Sequence, residues 1–566
     1  MPPPTYEYSP LSPPRHIRLV TIHPGRELQV SCSLSHTPLD NAPRYEALSY
    51  AWGDPTCSET MLLDGELLPI TSSLAAALLA LRDSRCERTM WIDAICINQA
   101  DDFERSEQVC IMSSIYRQSQ RTIVWIGEER EDSERAIAFL NEMGQYSSSP
   151  QLKGDYGTGF QNEPGWGHIM LGFPIMYGDG RNRFTGTEYL EDWDTVDALL
   201  ARPWWSRAWV VQEVWNSARV VLQCGSTTLA WDLFERAMDY HEAWDDIGRC
   251  VKDHNRRSKW PFLRRRYSLA IHIARKRLYK STLSDLLWNT WDREATDPRD
   301  KVFAVLGLVG NEAHGIRPDY NQTMVQVYCR TTKHIIREEQ SLDILLAANG
   351  IQRGDGLPSW VPDWRKEANA TKPALFVNRD RLNLRYDTGS MEMALVHGHG
   401  YRAAGDAPPS YAFDSEGMRI TVSAIIIDTV QAVDEAYGES TPAGKLVSSA
   451  LATVAECRAQ HIIYTPGEIV IVLAAGGAES SKNEDDVLEG NMRLRRFFLT
   501  RNQRAGVGPN DMMVGDDVVL IAGCNFPMIV RREDDHYGLV GEAYVHVIMQ
   551  GAAVPVGARW KDMEIW

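Results

Sequence analysis

From residue 45 onward, short apolar runs alternate with amphipathic ones. YEALSYAW (45–52) is a continuous apolar run that stops at Gly53-Asp54-Pro55, which predicts a strand closed by a turn. Between Pro69 and Arg82, Leu74, Leu78 and Leu81 fall on one stripe, predicting a helix with Thr71 or Ser72 as its N-cap. TMWIDAICI (89–97) reads as a strand, FERSEQVCIMSSIYRQS (103–119) as a helix and TIVWIG (122–127) as a strand, with a further helix from about Ser133 to Met143. This alternation predicts a parallel sheet flanked by helices, an α/β class. Residues 145–190 lack periodicity and are rich in Gly, Ser, Tyr and Pro, as expected of a long surface insertion. The pattern resumes with a helix through WDTVDALLARPWW, then RAWVVQEVW (207–215), then strand ARVVLQC (218–224).

Either side of this region the pattern differs. Residues 1–15 are a Pro-rich lead, and HIRLVTI and ELQVSCSL predict an antiparallel hairpin before residue 44. From 229 to about 346 the chain reads mostly helical, and LPSWVPDW (357–364) is a Pro/Trp-rich connector. Beyond it MRITVSAIIIDTV (418–430), RRFFLT (495–500), DDVVLIAG (516–523), PMIVRR (527–532) and GEAYVHVIM (541–549) predict a β-rich module. The expected organisation is a lead and hairpin at 1–44, an α/β domain at 45–228, a helical region at 229–365 and the β-rich module at 366–566.

Composition narrows the function. With 59 basic and 76 acidic residues among 566, the net charge of −17 argues against wrapping nucleic acid. The ten cysteines form no C-x-x-C pair, which points to reduced thiols in the cytosol or nucleus and no zinc site. The N-terminal prolines do not suit a signal peptide, and the longest apolar stretches are far short of the roughly 20 residues that span a bilayer. HGHG (397–400) reads as a glycine turn rather than a metal site. Walker A, G-x-G-x-x-G after a strand and G-x-S-x-G are all missing. The basic run at 264–280 has apolar residues at helical spacing, so it reads as a solvated amphipathic face or as a contact for an acidic partner or anionic membrane.

One acid stands out. In WIDAICINQADD (91–102) an alternating strand carries Asp93, and an ionised carboxylate costs several kcal/mol to bury unpaired. Ligands of open α/β sheets bind at the carboxyl ends of strands. There the sequence places Ser49, Tyr50 and Trp52 after one strand and Asn98 and Gln99 after another. Either these residues line a polar crevice with Asp93, or they cap loops and helix ends.

YEALSYAWGD, WIDAICINQ and RPWWSRAWVVQE, in that order over about 45–214, resemble the signature blocks of the fungal heterokaryon-incompatibility (HET) domain. DPRDKVFAVLGL, LPSWVPDW and the later β-rich segments are similar to the long C-terminal extension of such proteins. The resemblance implies a role in non-self recognition and programmed cell death. It also implies a distantly TIR-like fold, some members of which cleave NAD. Trp209-Val210-Val211-Gln212-Glu213 has the W-x-x-x-E spacing of TIR-type nucleosidases, and on a helix Trp209 and Glu213 share a face. The resemblance thus casts Glu213 as the catalytic acid, with NAD as substrate and no metal or bound cofactor. Ser49, Tyr50, Trp52, Asp93, Asn98, Gln99, Trp209 and Gln212 would then bind that substrate. The alternative is a non-catalytic module that self-associates, with Glu213 paired to Arg202 or Arg207 and a protein of the incompatible strain as the partner.

Overall fold

The computed structural model describes residues 6–12, 15–147, 189–238, 282–309, 315–348, 355–365, 401–435, 442–457, 464–473, 495–549, 551–554 and 557–566, together with Phe184, Ala270, Ile273 and Met492. Most of the 145–190 insertion, HGHG and nearly all of the 264–280 run lie outside these residues. The chain divides into two compact units. The first comprises Met1–Ser281, Arg293–Ala313 and Arg317–Asn321; the second comprises Thr282–Asp292, His314–Ile316 and Gln322–Trp566.

The first unit is built on one nine-stranded sheet. Its strands are β1 (His16–Ile22), β2 (Ser31–Pro38), β3 (Glu46–Tyr50), β4 (Glu59–Leu63), β5 (Glu66–Ile70), β6 (Arg88–Trp91), β7 (Thr122–Trp125), β8 (Val220–Cys224) and β9 (Thr227–Ala230). Their order is β5-β4-β2-β1-β6-β3-β7-β8-β9, in which β6-β3-β7-β8 are mutually parallel. The predicted hairpin β1–β2 is antiparallel and joins this same sheet through β6. The chain leaves β3 towards β6 on one side and then returns to β7 on the other. That reversal makes the carboxyl end of β3 the topological switch point, where open α/β sheets form a crevice.

Helices α1 (Ser72–Leu81), α2 (Asp93–Cys96), α3 (Asp102–Gln118) and α4 (Ser133–Tyr146) occupy the connections. Helix α1 begins where Thr71 accepts a hydrogen bond from the Leu74 N–H, and buries Leu74, Leu78 and Leu81 as predicted. Asp101 starts α3 by accepting from the N–H groups of Phe103 and Glu104. The expected strand 89–97 is a correction: it ends at Trp91, and Asp93–Cys96 form a helical turn closed by Cys96 N to Ile92 O at 2.7 Å and Ile97 N to Asp93 O at 3.1 Å. The Asp93 carboxylate caps that turn from within, accepting from the Ala94 N–H at 2.8 Å.

A buried ion pair anchors the turn. Arg18 of β1, fully buried, donates to both Glu104 oxygens at 2.6 and 2.8 Å and to the Cys96 carbonyl at 3.1 Å. Glu104 also accepts from the Asn98 N–H at 2.7 Å. A charge pair of this kind is tolerated in the interior because both carboxylate oxygens and both terminal guanidinium nitrogens have partners, the second nitrogen donating also to the Ser9 carbonyl at 2.7 Å.

The second unit follows a helical stretch with a closed sheet. Helices Leu283–Asn289 and Met324–Glu339 each start at a reciprocal capping box, Thr282 with Asp285 and Thr323 with Gln326. In the LPSWVPDW connector Trp360 and Trp364 are buried, and the Trp360 indole donates to the Met418 carbonyl at 2.9 Å. Strands β10 (Tyr411–Phe413), β11 (Ile420–Val433), β12 (Arg495–Thr500), β13 (Ala505–Pro509), β14 (Asp517–Ile521), β15 (Met528–Arg532), β16 (Tyr537–Glu542), β17 (Tyr544–Val545) and β18 (Lys561–Ile565) form the other sheet. Because β14 pairs with both β15 and β11, the path β14-β15-β16-β18-β11 closes on itself. Closure gives each strand of that five-strand ring a neighbour on both sides, and the register shifts along β11 supply the bending it needs. GEAYVHVIM, expected as one strand, instead contributes the end of β16 and the short β17.

Candidate functional site

Strand β3 brings Ser49 and Tyr50 to the switch point. Ser49 is 1% exposed, and its hydroxyl donates to the Glu213 carboxylate while accepting from the Trp204 indole N–H at 2.8 Å. Glu213 lies in the helix Val210–Asn216, one turn after Trp209, with its N–H bonded to the Trp209 carbonyl at 3.1 Å. Arg207 approaches the other side of Glu213 at 3.8 Å and also donates to the Tyr50 carbonyl. Serine, glutamate and arginine thus tie the end of β3 to the segment 204–213.

Asp93 borders the same arrangement. The Trp52 indole donates to it at 3.0 Å, and Arg207 acts on both Asp93 and Glu213. Trp52 is 37% exposed and Asp93 half-buried, whereas Glu213 is only 2% exposed. Gly53, which follows, takes a φ of +72°, a left-handed conformation that turns the chain sharply after Trp52.

Burial dominates the electrostatics. It lifts the Glu213 carboxyl to about 7, against the pull of Arg207 and Ser49 and with added repulsion from Asp93. Asp93 is raised for the same first reason, opposed by Arg207 and its hydrogen bonds. Burial also holds the Tyr50 hydroxyl well above its ordinary value. Two carboxyls and one guanidinium therefore share a poorly solvated edge with one proton readily gained or lost near neutrality.

The expected site residues separate into groups. Ser49, Tyr50, Trp52, Asp93 and Glu213 come together around Arg207. Asn98 and Gln99 serve the turn instead: the Asn98 side-chain Oδ1 accepts from the Ala100 N–H at 3.2 Å, and the Gln99 side-chain amide donates to the Asp93 carbonyl at 3.1 Å. The half-buried Trp209 hydrogen-bonds with Asp300. Gln212 is 1% exposed and packs against Gly307, and its Oε1 has no hydrogen-bond partner among the described residues. Of the two arginines considered for Glu213, Arg207 is the partner. Arg202 instead donates to the carbonyls of Ile126, Glu128 and Arg130 and to the Cys224 sulfur.

Two contributors escaped the sequence reading. Trp204 belongs to the RPWW block, but nothing in its spacing marks it as the Ser49 partner. Asp300, in the DPRD segment, also belongs to the first unit, where Tyr320 donates to it at 2.6 Å. Burial raises its carboxyl to about 6, with the bonds from Tyr320 and Trp209 opposing. The neighbouring segment is stitched on by Glu294, whose N–H bonds to the Ser206 carbonyl at 2.6 Å and whose carbonyl accepts from the Ala208 N–H at 2.9 Å.

Among the described residues no group of His, Cys, Asp and Glu is arranged to hold a metal ion, and no helix is long and apolar enough to cross a membrane. Comparison with known proteins bears on the whole chain. Residues 45–213 match the Heterokaryon incompatibility protein (HET) family, and residues 477–562 match the Het-6 beta-barrel domain. Heterokaryon incompatibility protein 6, OR allele, of Neurospora crassa is 26% identical, the similarity covering 98% of this chain and 97% of that protein. No solved structure matches. The first match spans the switch-point site and the second spans most of the closed sheet, so the chain carries a region that matches the HET family followed by one that matches the Het-6 barrel, and is similar over nearly its full length to a fungal heterokaryon incompatibility protein.

Proposed function

We propose that this protein acts in the cytoplasm in heterokaryon incompatibility, provoking cell death after fusion of unlike hyphae. In this reading its HET domain works as a non-catalytic signalling module that self-associates. The supporting observation is the state of Glu213. The acid of the W-x-x-x-E motif is 2% exposed, accepts from Ser49 and lies against Arg207. A carboxylate so engaged supports a clasp between β3 and the helix Val210–Asn216 over a group that meets a substrate.

A fusion assay tests this. Strains carrying Glu213→Gln, which keeps the shape and a neutral hydrogen-bonding end, should still react incompatibly. Glu213→Ala should lose the reaction together with the folded HET domain. A Gln variant that is folded yet silent would assign the function to carboxylate chemistry.

That outcome belongs to a second reading, NAD cleavage by a TIR-like site. It is favoured by the placement of exposed Trp52 and half-buried Asp93 on the same strand edge, beside Arg207. Cleaving the nicotinamide–ribose bond develops positive charge on the sugar, and a nearby carboxylate would stabilise it. Nicotinamide leaves neutral, so one acid suffices. Glu213 would first have to release Ser49 or open towards Asp93.

A further inference from the structure

The opposite edge of the same sheet carries a different chemistry. Each of the four parallel strands is preceded or opened by an arginine at its amino end: Arg88 opens β6, Arg44 lies two residues before β3, and Arg121 and Arg219 immediately precede β7 and β8. The strands are neighbours in the order β6-β3-β7-β8. At about 4.8 Å between adjacent strands, the arginines span roughly 14 Å along one edge.

Their partners are unequal. Glu46, buried at the start of β3, binds both Arg88 and Arg121, and Arg88 also donates to the Leu81 carbonyl at 2.8 Å. Arg44 and Arg219 are exposed, and neither has a side-chain hydrogen bond or ion pair among the described residues. Along these strand starts four arginines share one buried glutamate, Glu46, in a chain whose net charge is −17. Arg44, Arg121 and Arg219, with Gln120 and Glu46, line an open hollow of about 540 Å³. That is the size of a small-ligand site, but one lined by guanidiniums instead of apolar groups.

We propose that this hollow binds a ligand bearing two or more phosphate groups, held between Arg44 and Arg219 with Arg121 beneath. Guanidinium presents paired donors matched to phosphate oxygens, and several in one concavity favour multiple charges over one. Glu46 fixes the orientation of Arg121 and keeps the edge from holding four unscreened cations. The site lies at the amino ends of the strands, away from the Ser49–Glu213 cluster at their carboxyl ends, and does not depend on how that cluster acts.

The experiment is calorimetric titration of the full-length protein with inorganic tripolyphosphate at low and moderate salt. A parallel arm measures retention on vesicles carrying multiply phosphorylated lipid headgroups. Saturable one-to-one binding in solution, weakening with salt, assigns a soluble ligand; retention on vesicles alone assigns a lipid source; either supports the site. The R44A/R219A double variant alters two exposed side chains. It should keep the wild-type far-UV and near-UV circular dichroism and lose about tenfold or more in affinity, roughly what two charge-assisted contacts contribute. R44K/R219K should fall between the two. Binding in neither arm, or a folded double variant that binds as the wild type does, overturns the proposal.

Discussion

Glu213 concentrates the physical argument of the HET domain in one side chain. Burial raises its carboxyl from 4.5 to about 7. Between those values the folded protein holds a proton that the unfolded chain has released. Its contribution to stability is therefore complete below pH 4.5 and is lost as pH rises through 7, by roughly 3 kcal/mol in all. Asp300, raised to about 6 by burial, acts in the same direction over a lower window. Glu213→Gln mimics the protonated acid. Its denaturation midpoint should lie close to the wild type at pH 5 and exceed it at pH 8, so the pH slope flattens. A variant that lost stability most at pH 8 would mean that the Arg207 ion pair outweighs burial. Asp93, conspicuous in the sequence as a charge in an apolar run, was legible as bordering a polar edge. Its backbone was not: alternation over five residues cannot separate a strand from one helical turn whose cap is its own first residue.

Among the elements, the WIDAICINQ turn owes its place to β1 more than to its own residues. Arg18→Ala would leave Glu104 buried without its cation and the Cys96 carbonyl without its donor. The expected cost is about 3–5 kcal/mol, read as a lower denaturation midpoint. An unchanged midpoint would place the turn's stability elsewhere. The approach of residues 300–306 to the helix Val210–Asn216 is equally specific. A Cβ on Gly307 would lie 2.5 Å from Gln212 Oε1 and 2.9 Å from the Ser113 Cβ. Gly307→Ala should cost about 1–3 kcal/mol, and Gln212→Ala in the same chain should recover part of it, a coupling that a double-mutant cycle measures. The positions and types of α1, α3 and α4 could be read from apolar periodicity, because each buries one stripe. The return of DPRDKVFAVLGL to the first unit could not. Its contacts join residues some ninety positions apart, and no local pattern encodes such a pairing.

For the whole molecule, the sequence disclosed the kinds of layer better than their closure. The β-rich module was apparent from alternating runs, but barrel closure depends on β14 pairing with β11, about ninety residues earlier in the chain. The hairpin β1–β2, read as a separate lead, extends the HET sheet because β1 pairs with β6. The W-x-x-x-E spacing correctly placed Trp209 and Glu213 one turn apart, yet each is occupied, one with Asp300 and the other with Ser49 and Arg207. A clasp and a catalytic acid share that spacing, and turnover is what separates them. The direct test is to incubate the purified full-length protein with NAD at neutral pH and follow free nicotinamide by chromatography. A structural role for Glu213 predicts no release above the protein-free control. Release that disappears in a folded Glu213→Gln variant would contradict it.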